Sequence, residues 1–179
     1  QDVLWHKEDI AAVAVSINMS ARMFEGDSLY DIVEEALSRS GLAPHFLELE
    51  ITESIAMNNM EETVLLLSKL RKLGVRVSLD DFGTGFSSLG SLDEIPINTL
   101  KIDQVFIRKS KMHSKKAIIS NIIAIAANLN MEVIAEGVET TEQIELLQSL
   151  GCRVMQGYYY GKPMPVHELG QWFMDKKAV

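Results

Sequence analysis

Four stretches of this chain close an apolar run on ionisable side chains: Leu47-Glu48-Leu49-Glu50, Leu79-Asp80-Asp81-Phe82-Gly83-Thr84-Gly85, Leu100-Lys101-Ile102-Asp103 and Val133-Ile134-Ala135-Glu136. A charge at the end of a buried strand is costly unless it is solvated, paired or bound to a cation. Several such ends predict one converging site, and the repeated carboxylates predict divalent metal. Asn18, closing Ser16-Ile17-Asn18, offers a hard neutral oxygen suited to magnesium or manganese. The competing reading of Asn18 is an N-cap for the segment that follows. Glu50 is the inward member of Leu49-Glu50-Ile51 on an otherwise apolar strand, a position where a carboxylate is seldom merely structural. Glu53 lies past that strand end and is expected to anchor a loop by hydrogen bonds.

Asp80 and Asp81 are neighbours, so in a regular strand they point to opposite faces. A bend at the strand end lets both reach metal, with Asp80 bridging two ions; two close cations suit an in-line displacement at phosphorus. Alternatively one Asp binds while the other caps the Gly83-Thr84-Gly85 turn. Lys101 is a cation among carboxylates. Either it forms a salt bridge with Asp103 or another acid, or its pKa is depressed by metal so that it orients or deprotonates a water. Glu136 adds a further carboxylate able to hold such a water, and Gln156 an amide for a ligand edge. The blander reading holds elsewhere. His6, His45, His113 and His167 lack metal spacing, Cys152 reads as a buried thiol, and Tyr158, Tyr159 and Tyr160 read as strand residues that fill or cover the core.

The elements that must position these residues follow from the apolar period, which alternates between two and about 3.6. Strands are expected at 13–17, 46–51, 75–79, 98–102, 132–135 and 153–158. Helices are expected around 29–39, from Asn59 to Leu73, at 115–129, from Thr140 to Gly151 and at 167–174. Asn59 with Glu62, and Thr140 with Gln143, read as capping pairs. Roughly six strand–helix units of this kind imply a parallel sheet, doubly wound or closed as a barrel. Nearly every strand delivers a polar group at its C-terminal end, and only a barrel gathers all those ends around one mouth. The expected fold is therefore α/β, a TIM-like (β/α) barrel. A closed barrel needs eight strands, so it is incomplete, with about the first two strands missing.

At 179 residues and 47% apolar, the chain is expected to hold one sizeable core. The net charge of −8 argues against binding a nucleic-acid polymer. A phosphate-bearing small ligand fits if cations sit between it and the carboxylates. The lone cysteine, and the lack of a membrane span or signal peptide in this stretch, lead to the expectation of a cytoplasmic protein.

Six motifs then stand in register: Ile17-Asn18-Met19-Ser20-Ala21, Glu48-Leu49-Glu50-Ile51-Thr52-Glu53, Asp80-Asp81-Phe82-Gly83-Thr84-Gly85, Leu100-Lys101-Ile102-Asp103, Ala135-Glu136-Gly137-Val138-Glu139-Thr140 and Gln156-Gly157-Tyr158. Each is weak alone; together, from about Val13 to the end, they resemble the EAL-domain family of bacterial cyclic di-GMP phosphodiesterases. The resemblance implies hydrolysis of cyclic di-GMP to linear pGpG with Mg²⁺ or Mn²⁺. It implies metal ligation by Asn18, Glu50, Asp80, Asp81 and Glu136. Lys101 is implied to position or deprotonate the attacking water, Gln156 to contribute at the active site, and Glu53 to hold the loop after Asp81. That loop is the family's usual homodimer surface, and sensor or cyclase domains can precede such a domain. The Glu-Ala-Leu segment that names the family has no counterpart here, and Trp5 looks like the tail of the helix following it. Residues 1–179 therefore read as a partial EAL domain, roughly the C-terminal three quarters, impaired as an isolated chain. A non-catalytic cyclic di-GMP receptor or interaction module is the alternative.

Overall fold

The structure, a computed structural model, describes residues 13–24, 28–83, 92–108 and 113–177. Six strands, β1 (Val15–Asn18), β2 (Leu47–Thr52), β3 (Arg76–Phe82), β4 (Thr99–Ile102), β5 (Glu132–Ala135) and β6 (Val154–Met155), form one sheet in sequential order. Every neighbouring pair is parallel. Sequential parallel order with helical crossovers is the winding of a (β/α) barrel, whereas an open doubly wound sheet reverses its strand order. The fold is thus the expected α/β barrel, incomplete, with six strands among the described residues.

Helices return the chain between strands: α1 (Ser28–Ser40), the consecutive pair α2 (Glu53–Asn58) and α3 (Met60–Leu73), α4 (Gln104–Arg108) and α5 (His113–Asn128), α6 (Thr141–Ser149), and finally α7 (Val166–Lys177). The strand residues facing these helices are apolar and buried: Leu49, Ile51, Val77, Leu79, Leu100 and Ile102, packed with Leu67, Leu70, Ile107, Ile119 and Leu147. The isoleucine-rich stretch around Ile119 and Ile122 is the expected helix laid on the sheet. α3 stops at Gly74, whose φ of 101° suits glycine and whose missing Cβ leaves room for Pro44. Cys152 is buried as expected, and burial pushes its thiol pKa up.

Burial divides the sheet. β2, β3 and β4 are largely buried, while all of β1 is exposed and β6 is half covered. Among the described residues β1 and β6 each pair on one side only.

Two local expectations are corrected. Asn59 and Glu62 form no capping pair: Asn59 is squeezed between α2 and α3 with φ −140° and makes no side-chain cap. Thr140 and Gln143 do form the reciprocal box that opens α6. The last strand ends at Met155 instead of 158. Val138 N–H donates to Gln156 O at 3.0 Å and Tyr159 N–H to Val138 O at 3.0 Å, so the chain turns across the loop after β5. Gly157 crosses so closely that a Cβ there would lie 2.1 Å from Val138 O. Tyr158, Tyr159 and Tyr160 consequently sit exposed in a turn and do not cover the core. Trp5, His6 and the Thr84–Gly85 part of the loop after Asp81 lie outside the described residues.

Candidate active site

The inward face of the sheet is polar, and its strand ends meet at one ammonium. Lys101 Nζ lies 2.8 Å from Glu50 Oε2, 3.4 Å from Asp80 Oδ1 and 2.6 Å from Glu136 Oε1. Lys101 and Glu50 are buried; Asp80 and Glu136 are half-buried. Period-two alternation explains the meeting. With Leu49, Leu79 and Leu100 committed to the helices, Glu50, Asp80 and Lys101 must face the other way. Glu136 follows β5 directly, its N–H bonded to Ile102 O at 3.0 Å, which sets it beside Lys101.

Asp80 and Asp81 reach the rim by a bulge. Leu79 pairs with Leu100 and Phe82 with Ile102, so two aspartates oppose the single Lys101. Asp81 takes φ 56°, a conformation few non-glycine residues adopt, and its N–H donates to Asp80 Oδ1 at 2.9 Å. Aspartate is among the few side chains that tolerate it, because its short carboxylate can bond locally. The bend expected from the sequence is therefore present, and it restores Phe82 to the apolar face.

The remaining candidates fall around this centre. Asn18 is the register partner of Glu50 and exposed at the β1 edge. Glu53, buried at the start of α2, accepts the Gly83 N–H at 3.4 Å and so holds the chain just beyond Asp81. Gln156 is exposed, and its backbone N–H bonds Ala135 O at 2.9 Å, one residue from Glu136. Asp103 accepts the Val105 N–H at 2.6 Å at the start of α4 and is not the partner of Lys101.

Burial lowers the Lys101 pKa, but the hydrogen bonds to Glu136 and Glu50 and the charges of Glu136 and Asp80 outweigh it and hold the ammonium above the ordinary lysine range. The protein's own groups thus push opposite to the depression expected under metal. Glu136 is raised by burial first; Lys101 pulls it back, and Asp80 and Glu50 push it up again. Asp81 is raised by burial, then by Asp80 and Asp103, against a smaller pull from Lys101. Like charges crowd here, which is the setting a divalent cation relieves.

Chemically the donor set fits Mg²⁺ or Mn²⁺, being carboxylate and amide oxygen throughout. The arrangement is drawn onto Lys101: among the described residues no three His, Cys, Asp or Glu side chains are grouped to hold a metal ion by themselves.

Beneath this rim lies a second polar stratum that the motif reading missed. Glu48, buried, accepts from Thr99 Oγ1 at 2.9 Å and Ser16 Oγ at 3.4 Å. Arg76 donates to Thr99 Oγ1 at 3.2 Å, stands 3.9 Å from Glu48 and pairs with Glu132. The signal was available, because Glu48, Arg76 and Thr99 precede Glu50, Asp80 and Lys101 by even steps.

Comparison with known proteins agrees with this geometry. The family model described as "EAL domain" matches residues 3–163. The bifunctional diguanylate cyclase/cyclic di-GMP phosphodiesterase MucR of Pseudomonas aeruginosa is 43% identical over 167 residues, 93% of this chain. The chain spans 24% of that relative's length. A solved structure of the MucR phosphodiesterase in complex with c-di-GMP superposes with a TM-score of 0.87 at 43% identity, covering 93% of this chain and 68% of that one. Klebsiella pneumoniae BlrP1, solved as a manganese/cy-diGMP complex, gives 0.81 at 28% identity over 89% of this chain and 41% of the other. A parallel incomplete barrel with acidic strand ends, matched by the family model over nearly its whole length, places this chain in the EAL-domain family.

Proposed function

We propose that residues 1–179 are part of an EAL domain that hydrolyses cyclic di-GMP to linear pGpG with Mg²⁺ or Mn²⁺. The observation that carries this reading is the convergence of Glu50, Asp80 and Glu136 on Lys101 within 2.6–3.4 Å. Likeness to a named phosphodiesterase and to c-di-GMP complexes supports the choice of substrate. Asn18, Glu50, Asp80, Asp81 and Glu136 would hold the ions. Bound there, divalent cations supply charge stabilisation at phosphorus and make water acidic enough to attack at neutral pH.

The chain's own residues do the rest. Lys101, kept protonated, orients the attacking water as a donor and balances the carboxylates. Glu136, set beside Lys101 at the rim, holds the same water and accepts its proton. The water oxygen bonds to phosphorus as the bond from phosphorus to the ribose oxygen breaks; that oxygen takes a proton from solvent, and the ring opens. Glu53, by holding Gly83, keeps the Asp80–Asp81 bend in place. Gln156 meets the ligand edge. The same reading includes a cytoplasmic setting, a homodimer through the loop after Asp81, and sensor or cyclase domains elsewhere in a longer parent.

The test is incubation of the chain, and of a version extended upstream to eight strands, with cyclic di-GMP and Mn²⁺, followed by chromatography. The extended protein should form the linear product, Glu50→Ala should abolish it, and the short chain should be slower. An extended protein that binds cyclic di-GMP but never cleaves it would favour a receptor. The complete pairing of Lys101 within the protein is the feature that favours that second reading.

A further inference from the structure

Ser78 is completely buried, and its Oγ is the one buried side-chain polar atom among the described residues with no hydrogen-bond partner. It lies two residues before Asp80 on β3 and therefore faces inward with it. Its register partners are Glu50 on β2 and Thr99 on β4. The Thr99 hydroxyl is already engaged, donating to Glu48 and accepting from Arg76. Glu50 gives its Oε2 to Lys101, and among the described residues its Oε1 takes part in no hydrogen bond. An unused donor and an unused acceptor thus stand on adjacent strands at the same level, about 4.8 Å apart in the backbone.

A buried hydroxyl without a partner destabilises the fold, and alanine at this position would avoid that. We infer that Ser78 is a positioning residue for Glu50, its hydroxyl donating to the Glu50 carboxylate when divalent ions occupy the rim. This rests on the metal reading given above. Cations compete with the Lys101 ammonium for the same oxygens, so Glu50 exchanges one donor for another when they bind. Serine has a single side-chain torsion that moves its hydroxyl, and Glu50 is its register partner on the neighbouring strand. Partners that orient a ligating carboxylate in this way commonly change metal affinity by about tenfold or more.

One substitution should have effects of opposite sign on stability and on metal affinity. With divalent ions chelated, Ser78→Ala should melt a few degrees above the wild-type chain, because the unpartnered hydroxyl is gone. In a Mn²⁺ titration by calorimetry or water-proton relaxation, the same variant should bind about tenfold more weakly. A hydroxyl of merely structural importance changes melting and leaves Mn²⁺ affinity alone, so equal affinities overturn the assignment. A variant that melts below wild type also overturns it, since the hydroxyl then has a partner in the ion-free protein. If the wild-type chain itself takes up no Mn²⁺ at the rim, the metal reading fails first and the role of Ser78 falls with it. The wild-type titration separates the two failures.

Discussion

The two faces of the sheet share the same strands but differ in chemistry. Leu49, Ile51, Val77, Leu79, Leu100 and Ile102 pack against helices, while Glu48, Glu50, Arg76, Ser78, Asp80, Thr99 and Lys101 occupy the alternating positions. The apolar face needs only volume and burial, and it tolerates a regular pleat. The polar face needs every charge matched, and it is where the backbone departs from regularity, at Asp81. Stability is therefore concentrated on one side of each strand and chemistry on the other, which ties the site to the most buried elements, β2 to β4.

The comparison breaks most sharply at Lys101. Lys101→Met leaves Glu50, Asp80 and Glu136 facing one another, and removal of one partner from a buried ion pair costs about 3–5 kcal/mol. Melting without divalent ions should show that loss, and Mn²⁺ should restore more stability to the variant than to wild type. If Mn²⁺ restores no more in the variant, the ions and the ammonium do not share the same oxygens. On the apolar face, Leu79→Ala should cost about 2–5 kcal/mol in urea unfolding. The folded fraction should keep its Mn²⁺ affinity, and a parallel loss of affinity would show that the two faces are coupled.

Smaller effects sharpen the picture at the periphery. Gly157→Ala places a Cβ against Val138 backbone and should cost roughly 1–3 kcal/mol, as overpacking does. It should also displace Gln156 and weaken cyclic di-GMP binding, measured by calorimetry; unchanged affinity would remove Gln156 from the ligand edge. Thr140→Ala should cost about 1 kcal/mol through the lost α6 cap, with no change in ligand binding.

Period and punctuation made most of the fold legible. Strand positions, the stop of α3 at Gly74 and the Thr140 cap all follow from local physics that the sequence displays. The rim carboxylates were legible for the same reason, since a charge on an apolar strand has few destinations. What escaped were features set by long-range contact. The early end of β6 depends on hydrogen bonds with the loop after β5, which its own apolar pattern does not display; Val154 and Met155 look no different from residues that continue a strand. The hold on the Lys101 ammonium depends on Glu50 and Asp80 from two other strands and on Glu136 just past a third. Ser78 looks ordinary until its neighbours are known to be engaged.

On this reading the polar rim is where divalent ions and cyclic di-GMP meet. Anomalous diffraction at the manganese edge, from crystals of the upstream-extended protein grown with Mn²⁺ and cyclic di-GMP, tests it most directly. Manganese peaks are expected among Asn18, Glu50, Asp80, Asp81 and Glu136, with a phosphate of the ligand against them. Manganese bound elsewhere, with Lys101 still paired to all three carboxylates, would contradict it.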